Sequence, residues 1–248
     1  MNDFDSTLKP HTMGFTILKN SEHGVYGAPN GCEILNPENF PTLVHDYLKR
    51  EREFLEHQMI NYDTLIEGGC FDGTYLKWSH KRELNYIGVD VIPDYIEEAR
   101  HRSAFFNVAQ ERHEFHVLDL TRLWELNERS AMLANQENKV MLLIPFNLFG
   151  NITPISELVS VLRNCEYDFL ISNFSTSRIA TETRNQYYNN CDFLNVTMKS
   201  NDDGVHFTSE DGLDSMAFSE EWMFRQFEGM NLKTIPLGDV GIGYLRVQ

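Results

Sequence analysis

LIEGGCFDGTYLKW (65–78) carries the decisive signal in this 248-residue chain. An apolar run ends in Glu67. A turn bearing Gly68, Gly69 and Gly73 follows, and the residues beyond it suit the opening of a helix. At the carboxyl edge of a sheet such a turn points backbone N–H groups outward. Its glycines permit dihedrals and a close ligand approach that a Cβ would block. The stretch therefore reads as a nucleotide cradle. It is not a phosphate grip: Gly68 and Gly73 have P-loop spacing, but Thr74 stands where the lysine is required. Nor do Gly68, Gly69 and Gly73 fit the dinucleotide pattern GxGxxG. Glu67, beside the turn, would repel a pyrophosphate and suits a cationic or hydroxyl-bearing ligand.

Strands and helices alternate outward from this point. NPENFPTLVHDYLKREREFLEHQM (36–59) has apolar residues at helical intervals and predicts an amphipathic helix over about 40–58. Strands are predicted at 62–67, 84–90, 114–120, 139–146 and 167–174, with helices at 73–82, 93–102, 121–135 and 153–164. Pro93 and Pro154 sit near the first turns of two of these helices. This is βαβ repetition. The tail differs: 191–200 and 204–210 flank the turn Asn201-Asp202-Asp203 and predict a hairpin. A helix at 219–230 and a closing antiparallel pair, 232–237 with 241–247, follow. The expected fold is α/β: a Rossmann-like, seven-stranded, mostly parallel sheet with helices on both faces and an antiparallel C-terminal hairpin.

EGGCFDG (67–73) resembles motif I, (D/E)xGxGxG, of the class I S-adenosylmethionine-dependent methyltransferases, with Phe71 in place of the middle glycine. The resemblance extends over about 62–174. It implies that Glu67 lies near the cofactor's methionine part and that Gly68, Gly69 and Gly73 pass beneath it. It also implies that Asp90, at the end of the second strand, accepts both ribose hydroxyls; a carboxylate has two acceptor oxygens for a vicinal diol. Val91 and Ile92 would lie against adenine. Asp119, with Leu120, would meet the adenine amino edge, and Phe146 and Asn147 would stand beside the reacting methyl. The implied cofactor is S-adenosyl-L-methionine. The implied organisation is an N-terminal arm and helix (1–60) acting as a lid over a cofactor-binding domain (61–248) with a hairpin insertion near 191–210.

Composition narrows the partners. The chain holds 21 Lys and Arg against 37 Asp and Glu, a net charge of −16, which weighs against nucleic acid as a partner. Its four cysteines have no zinc or CxxC spacing and read as free thiols of a reducing compartment. No run is long and apolar enough for a membrane span, and residues 1–20 read as neither signal nor transit peptide. A cytoplasmic protein is expected, with a homo-oligomer left open. The strand ends IPFNLFGN and SNFSTS carry no acids, so no metal site is expected.

The acceptor side is the least legible. Tyr26, Asn151, Asn173, Tyr187, Tyr188 and His206 are the candidate substrate contacts, and no catalytic base is identified. The first reading is methyl transfer to an N or O nucleophile of a small molecule. A second rests on GTYLKW (73–78), which resembles the helix after motif I in mRNA cap guanine-N7 methyltransferases; that family's histidine-tyrosine run is replaced here by FNLFGN. A third is a non-catalytic cofactor-binding or partner subunit, suggested by Phe71.

Overall fold

The computed structural model describes residues 25–26, 30–105, 112–134 and 138–247. The arm's residues 1–24 and 27–29 lie outside that set, as does the end of the helix expected at 121–135.

Ten strands are described: β1 (Thr64–Gly68), β2 (Asn85–Asp90), β3 (His113–Val117), β4 (Val140–Ile144), β5 (Asp168–Phe174), β6 (Thr197–Asn201), β7 (Gly204–Thr208), β8 (Asp214–Phe218), β9 (Leu232–Leu237) and β10 (Gly241–Arg246). The described helices are α1 (Thr42–Gln58), α2 (Leu76–Lys81), α3 (Pro93–Ala104), α4 (Leu126–Arg129), α5 (Ile155–Arg163), α6 (Arg178–Asn190) and α7 (Glu220–Gln226). Seven strands form one sheet in the order β3-β2-β1-β4-β5-β10-β9. The pairs from β3 through β5 are parallel, and β10 runs antiparallel to both β5 and β9. β10 is thus the one reversed strand of that sheet, and the expected fold class holds.

The period of two explains the layers. Leu65, Tyr86, Met141, Leu143, Leu170 and Leu245 face one side and pack with Leu55 of α1, Leu76 of α2 and Ile96 of α3. Their strand neighbours Ile66, Ile87, Leu142, Ile144, Ile171 and Tyr244 face the other side, against Leu158 of α5 and Met223 of α7. Glu67, two residues after Leu65, therefore points toward the α1–α3 layer.

Several expectations need correction. The segment after β3 is not one helix to 135: it is a 3-10 turn, Leu120–Glu125, running into the four-residue α4. Asp119 starts that turn early by capping Thr121 N at 2.8 Å, so β3 stops at Val117 rather than 120. The predicted hairpin pairs Thr197–Asn201 with Gly204–Thr208, but β8 adds a third strand and makes a separate sheet. DSMAF has little β propensity, which hides that strand. Helix α6 was not expected because its buried face includes Thr183 and Arg184 and so lacks an apolar period. The helix expected at 73–82 also starts late, because Gly73 and Thr74 belong to the turn.

The small sheet docks through polar groups. Arg184, fully buried, donates to the carbonyls of Val205 and Ser215 at 3.0 Å each. Its guanidinium also lies against the rings of Phe174, Tyr188 and Phe207. No helix among the described residues is long and apolar enough to cross a membrane.

Candidate functional site

β1 and β4 are neighbours in the sheet, but the chain passes from β1 outward to β2 and from β4 outward to β5, so these connections diverge and open a crevice at the carboxyl ends of the two strands. A cavity of about 1530 Å³ occupies that crevice.

Glu67, next to last in β1, stands on the cavity wall, fully buried. Its Oε2 accepts from the Tyr75 backbone N–H at 3.0 Å and the Tyr86 hydroxyl at 2.5 Å. Its Oε1 is buried without a hydrogen-bond partner. Desolvation outweighs those two donors, and the neighbouring Glu51 and Asp72 add repulsion, so the Glu67 carboxyl is pushed up to about 8. The chain then turns through three left-handed residues, Gly69 (φ +63°), Phe71 (φ +50°) and Gly73 (φ +89°). Phe71 thus follows the backbone path that a glycine adopts more cheaply, and its ring packs edge-on against Tyr95 at 4.4 Å. A Cβ on Gly69 would meet Leu148 Cδ2 at 2.4 Å. Gly69→Ala is expected to cost about 1–2 kcal/mol of stability from the left-handed backbone alone. Thermal unfolding checks this; an unchanged midpoint would remove the conformational reading of the turn.

Asp90 ends β2 at the cavity. Oδ2 accepts from Phe71 N at 3.0 Å and Oδ1 from Ile92 N at 2.9 Å. The carboxylate therefore ties the β1 turn to the β2 turn. Val91, Ile92, Leu118 and Leu120 line the adjoining wall, and Asp119 stands among them. Asp119 uses Oδ1 for both the N–H and the hydroxyl of Thr121, so it is a helix cap as well as a wall residue. Tyr26 and Asn151 also line the cavity, joined by a 3.1 Å bond from Asn151 Nδ2 to the Tyr26 hydroxyl.

The remaining candidates, Phe146 apart, lie off the cavity wall. Gly68 and Gly73 shape the turn from behind the wall. Phe146 lines the cavity, but Asn147 does not. Asn147 Nδ2 donates to Ser215 Oγ and Met216 O, both at 3.2 Å, and its Oδ1 accepts from Phe174 N at 3.2 Å. Those bonds tie the end of β4 to β5 and β8. Asn173 is fully buried in β5 with its amide unpartnered. Tyr187 donates to the Ile34 carbonyl, and Tyr188 shares a 2.8 Å bond with Ser215 Oγ. Both belong to the core beneath the small sheet. His206 sits 2.6 Å from Asp214 Oδ1; Asp214 reaches the cavity and His206 does not.

Sequence reasoning missed one wall. Glu51 of α1 is fully buried. It accepts from the Tyr75 hydroxyl at 2.5 Å and from Phe146 N at 3.2 Å, and so links α1, α2 and the end of β4. Burial raises its carboxyl above the ordinary range. The available signal was its place on the stripe Val44, Tyr47, Glu51, Leu55, the buried face of α1. A charged residue on such a stripe is rarely buried without a partner or a task. Among the described residues no cluster of His, Cys, Asp or Glu could hold a metal ion.

No family model and no curated protein matches the chain. Solved structures do. A putative methyltransferase from Thermobifida fusca YX superposes with a TM-score of 0.56 at 10% identity, covering 85% of each chain. Magnesium protoporphyrin IX methyltransferase (ChlM) from Synechocystis PCC 6803, solved with bound SAH, gives 0.51 at 11% identity over 88% of this chain and 93% of that one. Burkholderia thailandensis 1,6-didemethyltoxoflavin-N1-methyltransferase gives 0.50 at 9% identity over 82% and 79%. The likeness is one of fold.

Proposed function

We propose that this chain, which has the fold of the class I S-adenosylmethionine-dependent methyltransferases, transfers a methyl group from S-adenosyl-L-methionine to an N or O nucleophile of a small molecule. One observation carries the reading: carboxylates ending or following three successive strands, Glu67, Asp90 and Asp119, converge on one cavity. Two structural neighbours are named for small-molecule acceptors.

The residues present fit the cofactor. The unpartnered, buried Oε1 of Glu67 is an acceptor position that an ammonium group fills. Asp90, at the cavity wall and held by two backbone N–H groups, would accept from the ribose diol. Val91, Ile92, Leu118 and Leu120 supply apolar contact for adenine, and Asp119 an acceptor for its amino group. Bound there, S-adenosylmethionine supplies a sulfonium methyl that is electrophilic without further activation. A nucleophile's lone pair would displace the thioether there, its C–S electron pair returning to sulfur.

What the protein then has to do is position the nucleophile and exclude water. Phe146 and Asn151 wall the cavity beyond the end of β4, and Tyr26, Leu35, Pro37 and Phe40 close it from the N-terminal side. Segment 1–60 is assigned the role of lid on that basis, with 61–248 as the cofactor-binding domain. An RNA-cap acceptor is disfavoured by the net charge of −16.

The test is calorimetric binding of S-adenosylmethionine, then transfer of labelled methyl to a low-mass extract of the host cell. Cofactor binding with methyl label in the low-mass fraction is expected. Cofactor binding without turnover would leave a non-catalytic subunit, and salt-sensitive RNA binding would favour the cap substrate.

A further inference from the structure

One hydrogen-bond chain reaches the cavity with its direction fixed by its donors. Arg184 of α6, fully buried, has N–H groups and no acceptor. Its Nη2 donates to Ser215 Oγ at 3.2 Å. Asn147 Nδ2 donates to the same oxygen at 3.2 Å, and its orientation is set because its Oδ1 accepts from the Phe174 backbone N–H at 3.2 Å. These two groups occupy both lone pairs of Ser215 Oγ. The Tyr188 hydroxyl lies 2.8 Å from that oxygen and can play either part, so it does not set the direction. Asn151 stands 2.7 Å from Ser215 Oγ. Its amide nitrogen there would be a further obligate donor on a filled oxygen. Asn151 therefore turns its Oδ1 to Ser215 and takes the hydrogen of that hydroxyl.

Asn151 ends a 3-10 turn, Leu148–Asn151, beyond β4. With Oδ1 engaged, its Nδ2 faces the Tyr26 hydroxyl at 3.1 Å. An amide nitrogen is a donor only. Tyr26 thus accepts from Asn151 and has to place its own hydrogen elsewhere, yet its hydroxyl has no other hydrogen-bond partner among the described residues. Tyr26 and Asn151 both line the cavity. Burial pushes the Tyr26 phenol above its ordinary value, the Asn151 bond lowers it less, and the charge of Asp90 adds to the rise, so the hydrogen stays on the oxygen.

A directed O–H donor and the Asp90 carboxylate within its electrostatic reach specify the group between them. An ammonium suits Asp90 but has no lone pair for Tyr26. A carbonyl or carboxylate oxygen takes the hydrogen of Tyr26 and offers none to Asp90. A hydroxyl does both: it donates to the carboxylate and accepts from the phenol. Resting on the methyltransferase reading, we propose that Tyr26 is a cofactor-binding residue, donating its hydroxyl hydrogen to one oxygen of the ribose diol whose own hydrogens go to Asp90. Arg184, Ser215 and Asn151 are the positioning residues that aim it. Tyr26 then serves the cofactor rather than the methyl acceptor, and the N-terminal segment supplies part of the cofactor site.

The experiment measures, by calorimetry on the full chain, the binding of S-adenosylhomocysteine and of its 2′-deoxy and 3′-deoxy analogues. Tyr26→Phe keeps the ring and should weaken S-adenosylhomocysteine about tenfold. The loss should vanish for one of the two deoxy analogues, which identifies the hydroxyl that Tyr26 meets. Asn151→Asp, measured at pH 8, presents a carboxylate oxygen to Tyr26 in place of the amide and draws the phenolic hydrogen back. It should weaken S-adenosylhomocysteine as Tyr26→Phe does, although Tyr26 is retained. Unchanged affinity in Tyr26→Phe overturns the assignment and returns Tyr26 to the acceptor side. An equal loss for all three ligands also overturns it, because ring packing alone would produce that. Wild-type affinity in Asn151→Asp overturns the direction of the chain and the donor role with it. Failure of the wild-type chain to bind S-adenosylhomocysteine overturns the cofactor reading itself.

Discussion

Asp90→Ala lowers the affinity for S-adenosylmethionine by about 1.5–3 kcal/mol, roughly 10- to 150-fold, the range for hydrogen bonds to a charged group. Two effects contribute and can be separated. The carboxylate at the end of β2 would lose its bonds to the ribose hydroxyls. Its removal also frees the N–H groups of Phe71 and Ile92, and the left-handed turn at Phe71 loses its anchor to β2. The second effect lowers the stability of the empty protein as well, whereas the first appears only on binding. Asp90→Asn distinguishes them: it keeps one carbonyl acceptor and the side-chain volume, so it should recover most of the stability and little of the affinity. Titration calorimetry and thermal unfolding with and without cofactor give both numbers. An unchanged dissociation constant in Asp90→Ala would remove Asp90 from the site.

The parts that could be read before the coordinates are those governed by local chemistry. β1, β2, β4 and β5 are apolar runs bounded by turn residues, and their parallel pairing follows from βαβ alternation. Glu67 and Asp90 were legible because each ends a strand, and strand ends of an open sheet meet at one edge. Asn147, Tyr187 and Tyr188 were assigned to ligand because they are polar or aromatic and follow strands. Their hydrogen bonds go instead to Ser215, Met216 and Ile34, partners 27–153 residues away in sequence. Such long-range satisfaction leaves no periodic trace. The same holds for α6, whose buried Arg184 is answered by carbonyls of β7 and β8, a sheet whose third strand was itself unrecognised. Glu51 was concealed differently: its helix was predicted, but its partner Phe146 N becomes visible only once α1 packs over the end of β4.

Glu67 makes cofactor binding depend on pH, with a sign fixed by its surroundings. In the empty site its carboxyl titrates near 8, raised first by burial and further by Glu51 and Asp72, against the lowering bonds from Tyr86 and Tyr75. Below pH 8 Glu67 is therefore mostly neutral. An ammonium group seated at its free Oε1 favours the ionised form, so binding at pH 6 must expel a proton that binding at pH 9 does not. Affinity rises with pH, by up to about tenfold per unit (1.4 kcal/mol), and levels off above about 8. The empty protein behaves in the opposite sense. A carboxyl raised in the folded state contributes stability that is complete below its unfolded value near 4.5 and lost as pH climbs through 8. The unfolding midpoint of the empty protein thus falls between pH 5 and 8, while added cofactor raises it most at the upper end. Glu67→Gln removes both slopes and leaves only the ligand's own titration. Calorimetry at pH 6.5 in two buffers of different ionisation enthalpy should register close to one proton released by the wild type and fewer by Glu67→Gln. Equal release by the two proteins, or affinity that falls as pH rises from 6 to 8, would place the cofactor's ammonium away from Glu67.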